Sequence, residues 1–142
     1  MCDAEQPESS QSGVKYLTIE DTLGLFADLF GCSVDEAADQ VRNREGLESA
    51  LARPRSYAVY EDADLASQAA ALTHGVAEGQ HFIEGNKRMA FVLMLSFLNL
   101  NGRDVTATAH ERFTWILDLS GGLTVQELAQ KIRVTLVVRP LP

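Results

Sequence analysis

One stretch of the chain, Lys87 to Asn101, is apolar on nearly every side when it is drawn as a helix. A helix without a polar face is buried on every side, so the rest of the chain must pack around it. The polar start, and an Asn101-Gly102 end that suits a left-handed C-cap, favour a helix over a strand at 89–98. The apolar run is too short to cross a bilayer. The sequence therefore predicts a globular fold around this buried central helix.

Further helix starts are marked by capping-box spacings at Thr18, Ser33 and Thr124. The stretch before the central helix is rich in alanine, and small side chains let a neighbouring helix approach closely. Pro54 is expected to end a short helix over 45–52. The predicted helices span 19–30, 34–43, 45–52, 64–78, 87–101, 108–119 and 125–136. The fold class is thus all-α, a bundle of six or seven helices around the central one.

Residues 53–61 are expected to form a small loop or hairpin in this bundle. Tyr57, Val59 and Tyr60 lie there, and aromatic and β-branched side chains favour extended backbone. The first thirteen residues are acidic and polar with almost no large apolar side chain, which predicts a disordered tail over 1–13. The domain is then expected over 14–142.

Charge and cysteine content exclude several kinds of protein. The net charge of −8 argues against non-specific binding to nucleic acid or to an anionic membrane, because both need a basic surface. Cys2 and Cys32 match no metal-binding or redox spacing. The acidic, polar start does not resemble a signal peptide. We therefore expect a cytoplasmic protein with no nucleic-acid partner and no membrane partner.

The loop before the central helix carries the residues of an anion site. Asn86 is a favoured N-cap, and the first turn of a helix offers free amide N–H groups and a positive dipole end. Gly85 lets the backbone approach a ligand, and Lys87 and Arg88 add two positive charges. These cations oppose the helix dipole, which suggests a bound anion that offsets the cost. In the plainer alternative the two cations are a solvated helix end and Glu84 pairs with Arg88.

The run Phe82-Ile83-Glu84-Gly85-Asn86-Lys87-Arg88 resembles the signature loop of the Fic/Doc (Fido) family. A second segment, Arg44 to Pro54, is similar to an upstream segment of Doc-like proteins, and Phe97 to Gly102 also matches. Lys87 stands where many members have glycine, which places the chain nearer the Doc branch.

The resemblance implies an all-helical Fic/Doc-type fold and the transfer of part of a nucleoside triphosphate to a protein hydroxyl. In the Doc branch the terminal phosphate of ATP goes to a threonine of elongation factor Tu, and the protein is the toxin of a toxin–antitoxin pair. The implied partners are therefore a nucleotide, a protein substrate and an antitoxin.

The same resemblance assigns roles to residues of this chain. Glu84 would hold Mg²⁺, and Phe82 would anchor the loop. Phosphates of ATP or another nucleoside triphosphate would be bound by Gly85, Asn86, Lys87 and Arg88, the last two also being candidate catalytic residues. The segment 53–61, with Tyr57, Val59 and Tyr60, would be the flap that aligns the target chain.

One position departs from the family pattern, because Gln80 stands where the family has its catalytic histidine. A glutamine amide can orient a group but cannot take the proton from an attacking hydroxyl. His81, the next residue, is a candidate substitute base if the loop is shifted. Alternatively, transfer proceeds without a base, since phosphoryl transfer depends mainly on positioning and charge, or the protein binds without turnover.

Three functions therefore stay open at this point. The first is a Doc-type phosphotransferase toxin with impaired or altered chemistry. The others are a non-catalytic nucleotide- or protein-binding module with the same fold and an AMP-transferring enzyme of the Fic type.

Overall fold

The computed structural model describes residues 13–139, and they form seven helices and two short strands. The elements are α1 Ile19–Phe30, α2 Val34–Asp39, α3 Arg44–Glu61, α4 Leu65–Glu78, α5 Asn86–Leu100, β1 Arg103–Val105, α6 Ala109–Ser120, α7 Val125–Thr135 and β2 Leu136–Val138. The expected all-α class is confirmed. The tail predicted over 1–13 lies outside the described residues, apart from Gly13.

Side-chain caps fix where most helices begin. Complete capping boxes start α1, α2, α6 and α7 at Thr18, Ser33, Thr108 and Thr124, and three of these four were predicted. The second helix is shorter than predicted, since it ends at Asp39 rather than near residue 43. The backbone after Asp39 leaves the helix and forms hydrogen bonds with the loop before α5.

The centre of the bundle is α4 rather than α5. The alanine-rich helix α4 packs against α3, α5, α6 and α7, and Ala69 and Ala70 are fully buried. By contrast, Phe91, Val92 and Leu95 of α5 are only partly buried. The expectation that α5 is buried on every side is therefore wrong. The small side chains of α4 let more helices pack closely around it than the large side chains of α5 allow.

The third helix corrects two predictions. Pro54 was expected to end it, but α3 continues through Pro54 to Glu61. The loop or hairpin expected over 53–61 is therefore wrong, and Tyr57, Val59 and Tyr60 lie on the last turns of a helix. Proline inside a helix removes one backbone hydrogen bond and costs about 3 kcal/mol. Here the ring of Pro54 is buried and α3 packs along α4, so tertiary contacts override the local rule.

A two-stranded antiparallel sheet joins the turn after α5 to the end of α7. Its register pairs Arg103 with Val138 and Val105 with Leu136. The sequence did not predict these strands, which are three residues long each and form only when distant segments meet. In the described part of the chain, no helix is both long and apolar enough to span a lipid bilayer.

Candidate functional site

The loop between α4 and α5 is anchored in the core by Phe82. This side chain is fully buried and stacks on Phe26 of α1, with ring centroids 5.2 Å apart. Its backbone forms an isolated antiparallel bridge with Val41. The prediction that Phe82 pins the loop to the core agrees with this position.

The connection between α2 and α3 holds the loop from the other side. The carbonyl oxygen of His81 accepts hydrogen bonds from the amides of Arg42 and Asn43, at 2.7 and 3.2 Å. The amide of Ile83 donates to the carbonyl oxygen of Gln40 at 2.9 Å. Sequence patterns do not predict this support, since backbone pairing between such short segments leaves no periodicity.

Asn86 closes the loop on itself. Its side-chain oxygen accepts from the Phe82 amide at 2.9 Å, and its side-chain nitrogen donates to the Phe82 carbonyl at 3.0 Å. Asn86 is also the first residue of α5, so the prediction that it is the N-cap is wrong by one residue. Both polar atoms of its amide serve the loop, and Asn86 therefore sets the shape of the site.

Gly85 is the N-cap of α5, and no side chain within residues 13–139 caps this helix start. Its φ of 87° lies in the left-handed region that favours glycine. A Cβ atom there would come within 2.6 Å of Phe30. The first-turn amides of α5 thus have no side-chain acceptor, and they stand at the positive end of the helix dipole. This start of α5 has the properties of an anion site.

The two cations at the start of α5 have different neighbours. The ammonium of Lys87 lies 2.7 Å from the hydroxyl of Ser120 and 3.4 Å from a carboxylate oxygen of Glu78. The guanidinium of Arg88 lies over the ring of Phe30, 5.1 Å from its centroid. At the start of α5, Arg88 therefore lies on the α1 side and Lys87 on the side of α4 and α6.

Glu84 is exposed at the rim of a pocket of about 270 Å³. The pocket is lined by Phe26, Phe30, Cys32, Glu36, Gln40 and Glu84. Among the residues described, Glu84 forms no ion pair, so the alternative in which it pairs with Arg88 finds no support.

Glu84 presents a carboxylate that could supply one ligand to a Mg²⁺ ion. No group of three His, Cys, Asp or Glu residues that could hold a metal ion occurs within residues 13–139. One free carboxylate suits Mg²⁺, which takes few protein ligands and completes its shell with phosphate oxygens and water. It does not suit a metal that needs a full cage of side chains.

Gln80 and His81 face different surroundings. Gln80 is exposed and has a φ of 57°, an uncommon conformation for a residue other than glycine. The ring of His81 is buried, and its Nε2 donates a hydrogen bond of 2.9 Å to the carbonyl oxygen of Gly75. A Cβ atom on Gly79 would come within 2.0 Å of this ring. To act as the substitute base, His81 would have to leave this enclosed position.

The expected flap residues lie at another part of the molecule's surface. Tyr57 lines a pocket between the end of α3 and α7, together with Asp64 and Arg133. Val59 and Tyr60 are 66% and 84% exposed, so both are accessible to another protein. None of the residues that line this pocket belongs to the loop.

Two comparisons with known proteins cover this loop. Residues 16–98 match the model of the family described as Fic/DOC family. Over 95 residues the chain is 34% identical to a protein named Toxin Doc from Mycolicibacterium smegmatis, and the match covers 66% of this chain and 69% of that protein.

Proposed function

Because this chain belongs to the Fic/DOC family, we propose that it transfers a phosphate group from magnesium-bound ATP to a hydroxyl group of a protein. The observation that carries the proposal is the glycine start of α5, where none of the described side chains caps the helix or pairs with Glu84. Uncapped amides, a dipole end and a free carboxylate are what a magnesium polyphosphate requires.

The residues of the loop divide between binding the nucleotide and shaping the site. The first-turn amides and the side chains of Lys87 and Arg88 bind phosphate oxygens, and Glu84 holds the metal ion. Asn86 and Phe82 keep the loop in shape and do not touch the reacting atoms. Magnesium, when bound, neutralises the charge that develops on the phosphates.

The amide of Gln80 lowers the rate of this reaction without abolishing it. It orients the acceptor hydroxyl by hydrogen bonds but takes no proton. Loss of a general base costs about 10²–10⁴-fold in rate. The other contributions to the rate of phosphoryl transfer remain, since they come from positioning and charge stabilisation.

The name of the Mycolicibacterium relative supports a proposal for the biological role. We infer that this chain is the toxin of a toxin–antitoxin pair and acts in the cytoplasm. Its protein substrate is elongation factor Tu, as in the Doc branch, and an antitoxin binds the chain to restrain it.

Calorimetry with magnesium–ATP tests the binding step. The wild type should bind, and Arg88→Ala and Lys87→Ala should each lower the affinity about tenfold or more, because each removes a charged hydrogen bond to phosphate. Arg44→Ala, which removes an exposed arginine on α3, is the matched control. Equal affinity in the wild type and the three variants would show that Lys87 and Arg88 do not bind phosphate.

Radiolabelled ATP tests the transfer step in an extract that contains elongation factor Tu. Label from the γ position should enter a protein, and label from the α position should not. Gln80→His should raise the rate by about 10²–10⁴-fold and make expression toxic. Label from the α position would instead identify AMP transfer.

A non-catalytic binding module is the second candidate, and the position of His81 favours it. With that ring enclosed and Gln80 in the family's histidine position, the loop presents no histidine to an acceptor hydroxyl. A module of this kind would stay inert as Gln80→His, and it would keep its protein partner in Lys87→Ala and Arg88→Ala.

A further inference from the structure

Three polar side chains from different helices meet beside the loop. Glu78 is the last residue of α4, Ser120 is the last residue of α6, and Lys87 is near the start of α5. The Ser120 hydroxyl donates to a carboxylate oxygen of Glu78 at 3.2 Å and accepts from the Lys87 ammonium at 2.7 Å. The same ammonium lies 3.4 Å from that carboxylate oxygen. Neither the sequence motif nor the proposed function accounts for Ser120.

The position of Lys87 connects this cluster to the phosphate site. An ammonium has three N–H donors, and Ser120 and Glu78 take two of them. A phosphate oxygen bound to the third donor would lie about 2.8 Å from the nitrogen. With tetrahedral donor directions, that oxygen and the Ser120 hydroxyl would be about 4–5 Å apart. The Ser120 hydroxyl would therefore be separated from a bound phosphate by the Lys87 ammonium alone.

The carboxylate of Glu78 supplies what Gln80 lacks. It already accepts a hydrogen bond from the Ser120 hydroxyl, which is the geometry required of a general base. The ammonium of Lys87 stays between donor and acceptor and offsets the negative charge of both. Carboxylate, alcohol and cation thus form a self-contained acceptor site.

We propose that Ser120 is a site of self-phosphorylation by this chain, with Glu78 as the base. The inference rests on the proposed function, because it needs a nucleoside triphosphate at the loop. The Ser120 oxygen attacks the γ-phosphorus, and the bond from that phosphorus to the bridging oxygen breaks. The electron pair leaves with the nucleoside diphosphate, and the hydroxyl proton passes to Glu78.

Mass spectrometry of the purified full chain tests the proposal directly. The protein is incubated with magnesium–ATP at several protein concentrations, and the site and rate of phosphorylation are measured. We expect one phosphate on Ser120, formed with a half-time that does not depend on protein concentration. Glu78→Gln should slow its formation by about 10²–10⁴-fold. Ser120→Ala should remove it, and Ser49→Ala, at an exposed serine of α3, should not.

Two results would overturn the inference, and they differ in what they leave standing. If the wild type binds magnesium–ATP and labels other proteins, but Ser120 stays unmodified, self-phosphorylation is wrong and the proposed function survives. If calorimetry detects no binding of magnesium–ATP, both fail together. A phosphate on Ser120 that forms at the same rate in Glu78→Gln would remove Glu78 as the base.

Discussion

At the residue scale, Gly85 meets two demands that no other residue type meets together. Alanine there would cost about 1–2 kcal/mol for the left-handed backbone and would force Phe30 to move. Because that ring lies against Arg88, we expect Gly85→Ala to lower the affinity for magnesium–ATP about tenfold or more while the helices stay folded. Calorimetry and circular dichroism measure the two effects.

Gly31 provides the matched control for this change. It also has a positive φ, 69°, but a Cβ atom on it would meet nothing within 4 Å. Gly31→Ala should therefore cost similar stability and leave nucleotide affinity unchanged. An equal loss of affinity in both variants would show that backbone strain alone, and not the contact with Phe30, governs the site.

Asn86 is expected to act on the site through the shape of the loop. Asn86→Ala leaves the amide and carbonyl of Phe82 without their partners, which should cost about 1–3 kcal/mol in the free energy of unfolding. Nucleotide affinity should fall as well, since the start of α5 loses its two hydrogen bonds to Phe82. Denaturant unfolding and calorimetry measure the two quantities.

Asn101, just beyond the other end of α5, separates these two effects. Its side-chain nitrogen donates to the carbonyl oxygens of Phe97 and Lys15, so Asn101→Ala should cost comparable stability. It lies away from the loop and should leave nucleotide affinity unchanged. If Asn86→Ala kept full affinity as well, the hydrogen bonds between Asn86 and Phe82 would contribute to stability alone.

The sequence predicted which residues make up the loop before α5 but not how their side chains are arranged. Glycine, asparagine and two cations before an apolar helix predict an anion site from local chemistry alone. The direction of Lys87 could not be predicted, because it depends on Ser120, which lies 33 residues further along the chain. The enclosure of His81 depends likewise on Gly75 and Gly79 of the helix before it.

At the scale of elements, α3 shows where local rules fail. Proline and extended-favouring residues over 53–61 predicted a break, and each residue's preference supports that prediction. Packing of α3 along α4 outweighs the sum of those preferences. The helix boundaries that were predicted well are those with side-chain caps, whose hydrogen bonds lie within a few residues of sequence.

The ion pair between Arg133 and Asp64 joins α7 to the start of α4, and it should make stability depend on pH. The hydrogen bond from Arg133 lowers the pKa of Asp64 from 3.8 to about 2. Because the pKa is lower in the folded state, the pair stabilises the fold above about pH 4. That contribution is lost as the pH falls from about 4 to 2.

Replacing the arginine tests this dependence. Both side chains are partly exposed, at 40% and 45%, so solvent screening keeps the effect of Arg133→Gln to about 1 kcal/mol or less at pH 7. The deficit relative to the wild type should shrink at pH 2–3, as measured by urea unfolding. Arg44→Gln, which breaks an exposed pair with Glu48, should show no such trend. A deficit that is constant across this pH range would assign the effect of Arg133 to packing.

At the scale of the whole molecule, small side chains determine the architecture. Four helices pack against α4 because the small side chains of Ala69, Ala70 and Ala71 allow close approach. Each of the three is fully buried. A Cβ atom on Gly75 would lie 3.3 Å from that of Ala50, which shows how closely α3 approaches. Since the loop joins α4 to α5, its shape depends on how these helices pack.

A larger side chain in α4 should therefore disturb both the fold and the site. Ala69→Leu adds volume where no space exists, and overpacking of this kind costs about 1–3 kcal/mol. For a chain of this size the melting temperature should fall by about 3–10 °C. Nucleotide affinity should fall too, because the helices on either side of the loop are pushed apart. Ala38→Leu makes the same chemical change on an exposed position of α2 and should alter neither quantity. If Ala69→Leu melted like the wild type, α4 would have unfilled space beside it and would not be the close-packed centre on which the loop depends.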